Sequence, residues 1–405
     1  MESQKTLFKQ IREDWLLYLL FFFTSIASVM LELYALLFWM VVCKEIGRSI
    51  NGISKLFPFI SYILISTVVG LAITGFSADK AVIQTGQLVV YMCIYYAFMS
   101  HYQNNLSHVF EVYVKFALVL AIAGIIQFFV ALLYGVKLFY VLDYLEEREI
   151  IEDSLRAQAW VGEPANFALY LVPALSYSCF KWGLFNIKTI ILIFAGWLAF
   201  SPIFKLSLVL IVGYYLYRQG SRSFTYILFI TALLMCSTFV ERYNIVNREN
   251  GDIKSSETFQ YIGANFAELE NANASTYSFL KNLRVAFMAD NRITGTGIGT
   301  HGYSHDKWYH SSFAYSELNK WDAYSLGTRI FSELGIVGLC VFVYFFFKYF
   351  NRNNIINISI VFYFIFAFLR GGHYTISGAQ FFLMMYLFTS KYKLLESQVS
   401  ENYIK

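Results

Sequence analysis

Apolar residues in this chain run together for about twelve to twenty-one positions at a time, with polar stretches between. The clear runs are 57–76, 84–100, 114–134, 165–180, 224–240, 328–347, 355–369 and 379–390. A helix needs about 20 apolar residues to cross the ~30 Å hydrocarbon core of a bilayer, so each run reads as a membrane-spanning helix. Two further runs, 15–43 and 189–218, each hold about 30 residues, long for one crossing and short for two. Polar residues sit near their middles: Thr24, Ser25 and Ser28 in one, Ser201, Pro202 and Lys205 in the other. Proline interrupts a helix, and a lysine at mid-bilayer is expensive. The second run is therefore expected to form two short helices with a tight outward turn, and the first is split by analogy. The expectation is an all-α polytopic membrane protein with about 12 (11–12) transmembrane helices.

The polar stretches orient it. Cytoplasmic loops collect Lys and Arg, and Lys44, Arg48 and Lys55, then Lys181 and Lys188, Arg218 and Arg222, Lys348 and Arg352 all fall on one set of alternate loops. The opposite set includes 135–160, with three basic and six acidic residues, and 241–326, with eight basic and ten acidic. This places the C-terminus in the cytoplasm and the long loop outside. The organisation expected is a bundle of about nine helices over 1–240, an ordered, mostly helical cap over 241–326, and the remaining helices of the same bundle over 327–405. The weak helical pattern of Phe279, Leu283 and Phe287 supports structure in the cap.

Composition agrees: 58% of residues are apolar, 20% aromatic and 14% charged, where a soluble domain carries about 25% charged residues. The mean hydropathy is +0.52. The net charge of +4 gives no reason to expect a nucleic-acid partner, and the five cysteines lie in or beside apolar runs without metal-ligand spacing. The first apolar run has no small-residue cleavage site, which speaks against a removable signal peptide.

Candidate chemistry gathers at the outer membrane boundary. Arg156 precedes Gly162-Glu163-Pro164-Ala165-Asn166 at a helix start, where Glu163 either caps the helix or serves a site with Arg156 and Asn166. Arg284 precedes Gly295-Thr-Gly297-Ile-Gly299-Thr-His301, whose glycines form either a tight structural loop or a close backbone approach to an anion or sugar. Arg329 and Glu333 stand four apart, which suits a local ion pair; at the start of an apolar helix Arg329 would also suit a phosphate oxygen. Arg370 and His373 lie between the last two runs. His301, His305 and His310 do not form a zinc motif by spacing, and no Asp-x-Asp pair occurs, so neither metal nor other cofactor is expected. Trp308, Tyr309, Phe313, Tyr315, Trp321 and Tyr324 in the loop suit stacking on sugars or a membrane-interface belt.

In this order and topology, the motifs resemble the O-antigen polymerase and ligase superfamily of bacterial envelopes. Glu163-Pro164 resembles the Glu-Pro helix start of Wzy-type polymerases. Arg284 with the spaced glycines resembles the family's arginine and Gly-x-Gly-x-Gly stretch, and Glu333-Leu-Gly335-Ile-Val-Gly338 its motif after the loop. The ligases carry a histidine eleven residues before that glycine; Tyr324 stands there, which favours the polymerase. The resemblance implies an inner-membrane glycosyltransferase with its large loop in the periplasm. It would join polyprenyl-pyrophosphate-linked glycan units, donor and acceptor, without a metal, beside a chain-length-regulating co-polymerase. The roles implied are catalysis at Glu163, Arg284, Arg329 and Tyr324, and substrate binding at Arg156, Asn166, Gly297, Gly299, His301, His310, Arg370 and His373. Arg284 and Arg329 are expected to share a cavity as a pyrophosphate clamp. A ligase transferring glycan to a lipid A-core acceptor, and a flippase for the lipid-linked sugar, are the alternatives.

Overall fold

A computed structural model describes residues 2–26, 29–43, 53–136, 138, 156–219, 266–269, 274–311, 316–371, 373–375 and 378–390. The described chain is all-α. In order, the helices are α1 (Glu2–Ser25), α2 (Val29–Cys43), α3 (Phe57–Thr74), α4 (Ala78–His101), α5 (Leu106–Tyr134), α6 (Pro164–Trp182), α7 (Ile187–Leu198) and α8 (Pro202–Arg218). Then follow the single turn α9 (Phe266–Leu269), α10 (Ala274–Met288), α11 (His301–Trp308), α12 (Leu326–Tyr349), α13 (Ile355–Leu369) and α14 (Ala379–Thr389).

Four of the described helices, α3, α4, α5 and α12, are long and apolar enough to cross a membrane. The chain is a multi-pass membrane protein. The expected count of about twelve spanning helices is corrected by this, and the reason is that hydropathy reports burial without saying in what. At ~1.5 Å per residue, the 15 residues of α13 reach about 22 Å and the 11 of α14 about 16 Å, short of a ~30 Å core. Helix α6 is buried without interruption from Phe167 to Cys179, so its apolar run faces protein, with α5, α7, α8 and α13 around it. The runs 15–43 and 189–218 do break, after Ser25 and after Leu198, so that each is shared between two helices. Ser201 caps α8 by accepting from Phe204 N at 3.4 Å, with Pro202 in the first turn, where no N–H is needed. The run 224–240 lies outside the described residues.

Aromatic packing fills the centre. Phe21, Tyr113, Tyr170, Phe381 and Phe382 meet edge to face, with ring centroids 5.2 Å apart for Phe21–Phe381, 5.4 Å for Tyr113–Tyr170 and 5.2 Å for Tyr113–Phe382. Buried tyrosines need partners for their hydroxyls. Tyr170 bonds Thr24 Oγ1 at 3.1 Å and Phe21 O at 3.2 Å, while Tyr95 donates to the buried carboxyl of Glu32.

One spanning helix is interrupted. Within α12, Gly335 has φ 68° and ψ −169°, far from helical values. The irregular segment 292–297 lies in the gap and takes up the freed backbone groups. Thr296 N and Gly297 N donate to Ser332 O and Glu333 O at 3.1 and 2.9 Å, while Ile336 N and Val337 N donate to Arg292 O and Ile293 O at 2.9 and 3.1 Å. Helix α3 covers the other side: Tyr62 OH donates to Leu334 O at 3.0 Å, and Ser66 Oγ to Thr294 O at 2.6 Å. Broken helix at membrane depth is tolerated only where neighbouring protein satisfies it.

Candidate functional site

The segment leading to Glu163 is held from α5. Gln127, 3% exposed, uses its whole amide: Nε2 donates to Ala159 O at 3.0 Å and Leu138 O at 2.8 Å, and Oε1 accepts from Gln158 N at 3.0 Å and Ala159 N at 2.7 Å. Trp160 Nε1 adds a bond to Ser25 Oγ at 2.8 Å. Glu163 then takes the N-cap position of α6 in extended conformation, yet its side chain makes no capping bond. Its carboxylate points to Arg370 instead, with Oε2 3.9 Å from Nη2.

Arg370 ends α13, and its guanidinium carbon lies 3.9 Å above the centre of the Tyr324 ring. Tyr324 comes from a third segment, and its backbone is unusual: Ala323 and Tyr324 have φ of 58° and 66°. Left-handed backbone at a residue other than glycine costs about 1–3 kcal/mol and persists only where its surroundings hold it. Here Asp322 Oδ1 accepts from Tyr324 N at 3.1 Å, and Gly371 N donates to Tyr324 O at 3.0 Å. Three separate stretches thus deliver a carboxylate, a guanidinium and a phenol to one place. The Arg370 side chain is 20% exposed and Glu163 41%, so solvent reaches the pair. Asn166 is partly exposed in the first turn of α6, and Arg156 is exposed at the start of the segment.

Arg329 is placed differently. It is 1% exposed and Glu333 is 0%, with Nε 3.3 Å from both carboxylate oxygens. Nη2 donates to Gln84 Oε1, and the guanidinium carbon lies 4.6 Å from the Tyr374 ring centre. Arg284 stacks on Phe266 at 5.2 Å. The expected clamp of Arg284 and Arg329 on one anion is not what the geometry gives: Arg329 is enclosed by its carboxylate partner.

Gly297, Gly299 and His301 are equally internal. Gly297 fills the α12 gap, and a Cβ on Gly299 would stand 2.9 Å from Lys80 O. His301, 0% exposed, bonds Ser332 Oγ at 2.8 Å and Asn282 Oδ1 at 3.0 Å; burial holds its pKa down to about 3. His373 bonds Thr375 Oγ1 at 2.9 Å, with its pKa lowered to about 3 by burial and then by Arg329. His310 is exposed just beyond the end of α11. Trp321 packs on Gly302, where a Cβ would come within 2.3 Å of the ring, and Tyr309 is 4% exposed. Phe313 and Tyr315 lie outside the described residues.

Sequence reasoning missed Lys281. It is 0% exposed and donates to Ser316 O and Leu318 O at 2.7 and 2.8 Å, fastening 316–318 to α10; burial lowers its pKa to about 8. Gln84 and Tyr374 were missed too, since neither belongs to a charged motif.

No family model, no curated protein and no solved structure matches this chain. The resemblance to the O-antigen polymerase and ligase superfamily is thereby corrected: no family model supports it, and the four membrane-length helices among the described residues are not its roughly twelve-helix architecture. Its short motifs have local physical explanations. Glu333 and Gly335 serve the Arg329 pair and the helix break, and Gly295 and Gly297 serve the chain that enters that break.

Proposed function

We propose that this protein is a membrane glycosyltransferase that passes a polyprenyl-pyrophosphate-linked glycan to a sugar hydroxyl of a second lipid-linked unit, at the outer face of a bacterial inner membrane. The observation that carries the reading is the partly exposed group of Glu163, Tyr324 and Arg370. Arg370 is suited to the departing pyrophosphate, because a guanidinium offers paired bonds to phosphate oxygens and stays charged. Glu163 is suited to take the acceptor hydroxyl proton, and Tyr324 supports the guanidinium with its ring face.

Magnitudes choose between the arginines. A solvent-reached ion pair is worth about 0–1 kcal/mol, so a doubly charged pyrophosphate displaces Glu163 from Arg370 with little loss. Breaking a buried pair costs about 3–5 kcal/mol, which keeps Arg329 out of reach. Freed from Arg370, Glu163 becomes available as the base at the moment substrate binds.

The test uses purified full-length protein in nanodiscs with a synthetic lipid-linked oligosaccharide as donor and acceptor. Chain lengthening is expected, and Arg370→Lys should lower its rate by about one to two orders of magnitude, the loss of a charge-assisted bond of roughly 1.5–3 kcal/mol. Glu163→Gln should also slow it, while Arg352→Lys, on the exposed turn after α12, should not. Wild-type protein that extends nothing, or an Arg370→Lys variant as fast as wild type, ends this reading.

A further inference from the structure

Away from that group, α11 and the turn after it form an open cavity of about 470 Å³, lined by His305, Asp306, Tyr309, His310, Ser311, Ser316 and Glu317. His305 is 1% exposed, and among the described residues only one of its ring nitrogens is hydrogen-bonded. Nε2 stands 3.1 Å from Ser316 O, and a carbonyl oxygen can only accept, so Nε2 carries the hydrogen. The same carbonyl also accepts from Lys281 Nζ at 2.7 Å. Nδ1 is buried and has no hydrogen-bond partner among the described residues. It faces Asp306 Oδ1 at 3.7 Å, and the ligand atoms of His305, Asp306 and Glu317 all lie within 4.8 Å of one another. A buried ring lone pair turned toward a carboxylate is a donor set that suits a cation.

We propose that His305, Asp306 and Glu317 form a binding site for a late first-row divalent cation of the Zn²⁺ class. A backbone carbonyl orienting the far nitrogen of a ligating histidine is the usual support for such a ligand. Metal–nitrogen and metal–oxygen bonds of about 2.0–2.2 Å require ligand atoms roughly 3.3–3.5 Å apart. Asp306 and Glu317 have that freedom, being 51% and 69% exposed, while the histidine is the fixed member. The fourth position falls to water.

Lys320 holds the place meanwhile. Its ammonium sits 2.6 Å from Asp306 Oδ1 and 2.8 Å from Glu317 Oε2, so the two carboxylates already share a monovalent cation. A divalent ion must displace it, which makes Lys320 a competitor whose removal tightens binding. No simple surface ion-pair cluster predicts that lone-pair nitrogen contact.

The experiment is calorimetric titration of ZnCl₂ into tag-free, chelator-stripped full-length protein in detergent, with Co²⁺ absorption as a second readout. One equivalent should bind, Lys320→Met should tighten binding at least tenfold, and Glu317→Gln should weaken it at least tenfold. A large excess of Mg²⁺, which avoids imidazole, should not compete. Melting temperatures should confirm that both variants remain folded. Absence of stoichiometric Zn²⁺ binding in both wild type and Lys320→Met overturns the site. So does binding that ignores Glu317→Gln, or that Mg²⁺ displaces.

Discussion

Removing one member of the Arg329–Glu333 pair leaves the other charge buried without compensation, a loss of about 3–5 kcal/mol. Glu333→Ala should therefore yield little folded protein in detergent, seen as a lost melting transition, whereas Glu163→Ala should melt close to wild type. A Glu333→Ala protein as stable as wild type would mean that Arg329 is not enclosed as described. His301 sets a pH dependence at the same scale. Its folded pKa of about 3, lowered first by burial and then by the charges of His305, Arg329 and Lys281, lies below the ~6.5 of an unfolded chain. The unfolded chain binds the extra proton, so His301 favours folding fully above about pH 6.5 and loses that contribution as pH falls toward 3. Hydrogen exchange corrected for intrinsic rate should show weaker protection of α10 and α11 at pH 5 than at pH 7.5. Equal protection at both would place His301 nearer solvent. Which of these residues would be internal was not legible in the sequence. Arg329 and Arg370 both stand at the edges of apolar runs, and only the Glu333 spacing hinted at their difference.

At the scale of elements, the interrupted α12 and the chain that fills its gap form one unit. Gly335 has φ +68°, and a Cβ there would stand 2.2 Å from Ile293 O; on Gly295 it would stand 2.2 Å from Glu333 O. Neither neighbour is a flexible side-chain end, so the backbone would have to part. Gly335→Ala is expected to destabilise severely, by more than the ~1 kcal/mol of an ordinary glycine substitution, with loss of monodisperse protein on size exclusion. Gly213, which has open space around its Cβ position, is the matched control for alanine tolerance. The spaced glycines could be seen in the sequence as a tight loop or as an anion cradle. The choice was decided by residues far away, since the partners of that loop are on α3 and α12.

For the whole molecule, α12 should place its two ends on opposite sides of the membrane if it crosses as its length and composition allow. A cysteine at Lys307, before α12, should react with a membrane-impermeant maleimide from outside in outer-permeabilised cells; one at Asn353, after it, should react only after lysis. Labelling of both from the same side would remove α12 from the spanning set. The sequence by itself determined that this chain is helical and lives in a membrane, because composition and run length measure how much apolar surface must leave water. It also marked the breaks near Ser25 and Pro202, where local polarity and a missing N–H act without help from the rest of the chain. Tertiary structure decided which apolar helices face protein and not lipid, since both environments accept the same side chains. It decided which arginine is enclosed, and it drew Glu163, Tyr324 and Arg370 together from positions up to 207 residues apart (370 − 163). No local pattern encodes such a meeting, because long-range proximity is set by packing and not by spacing along the chain.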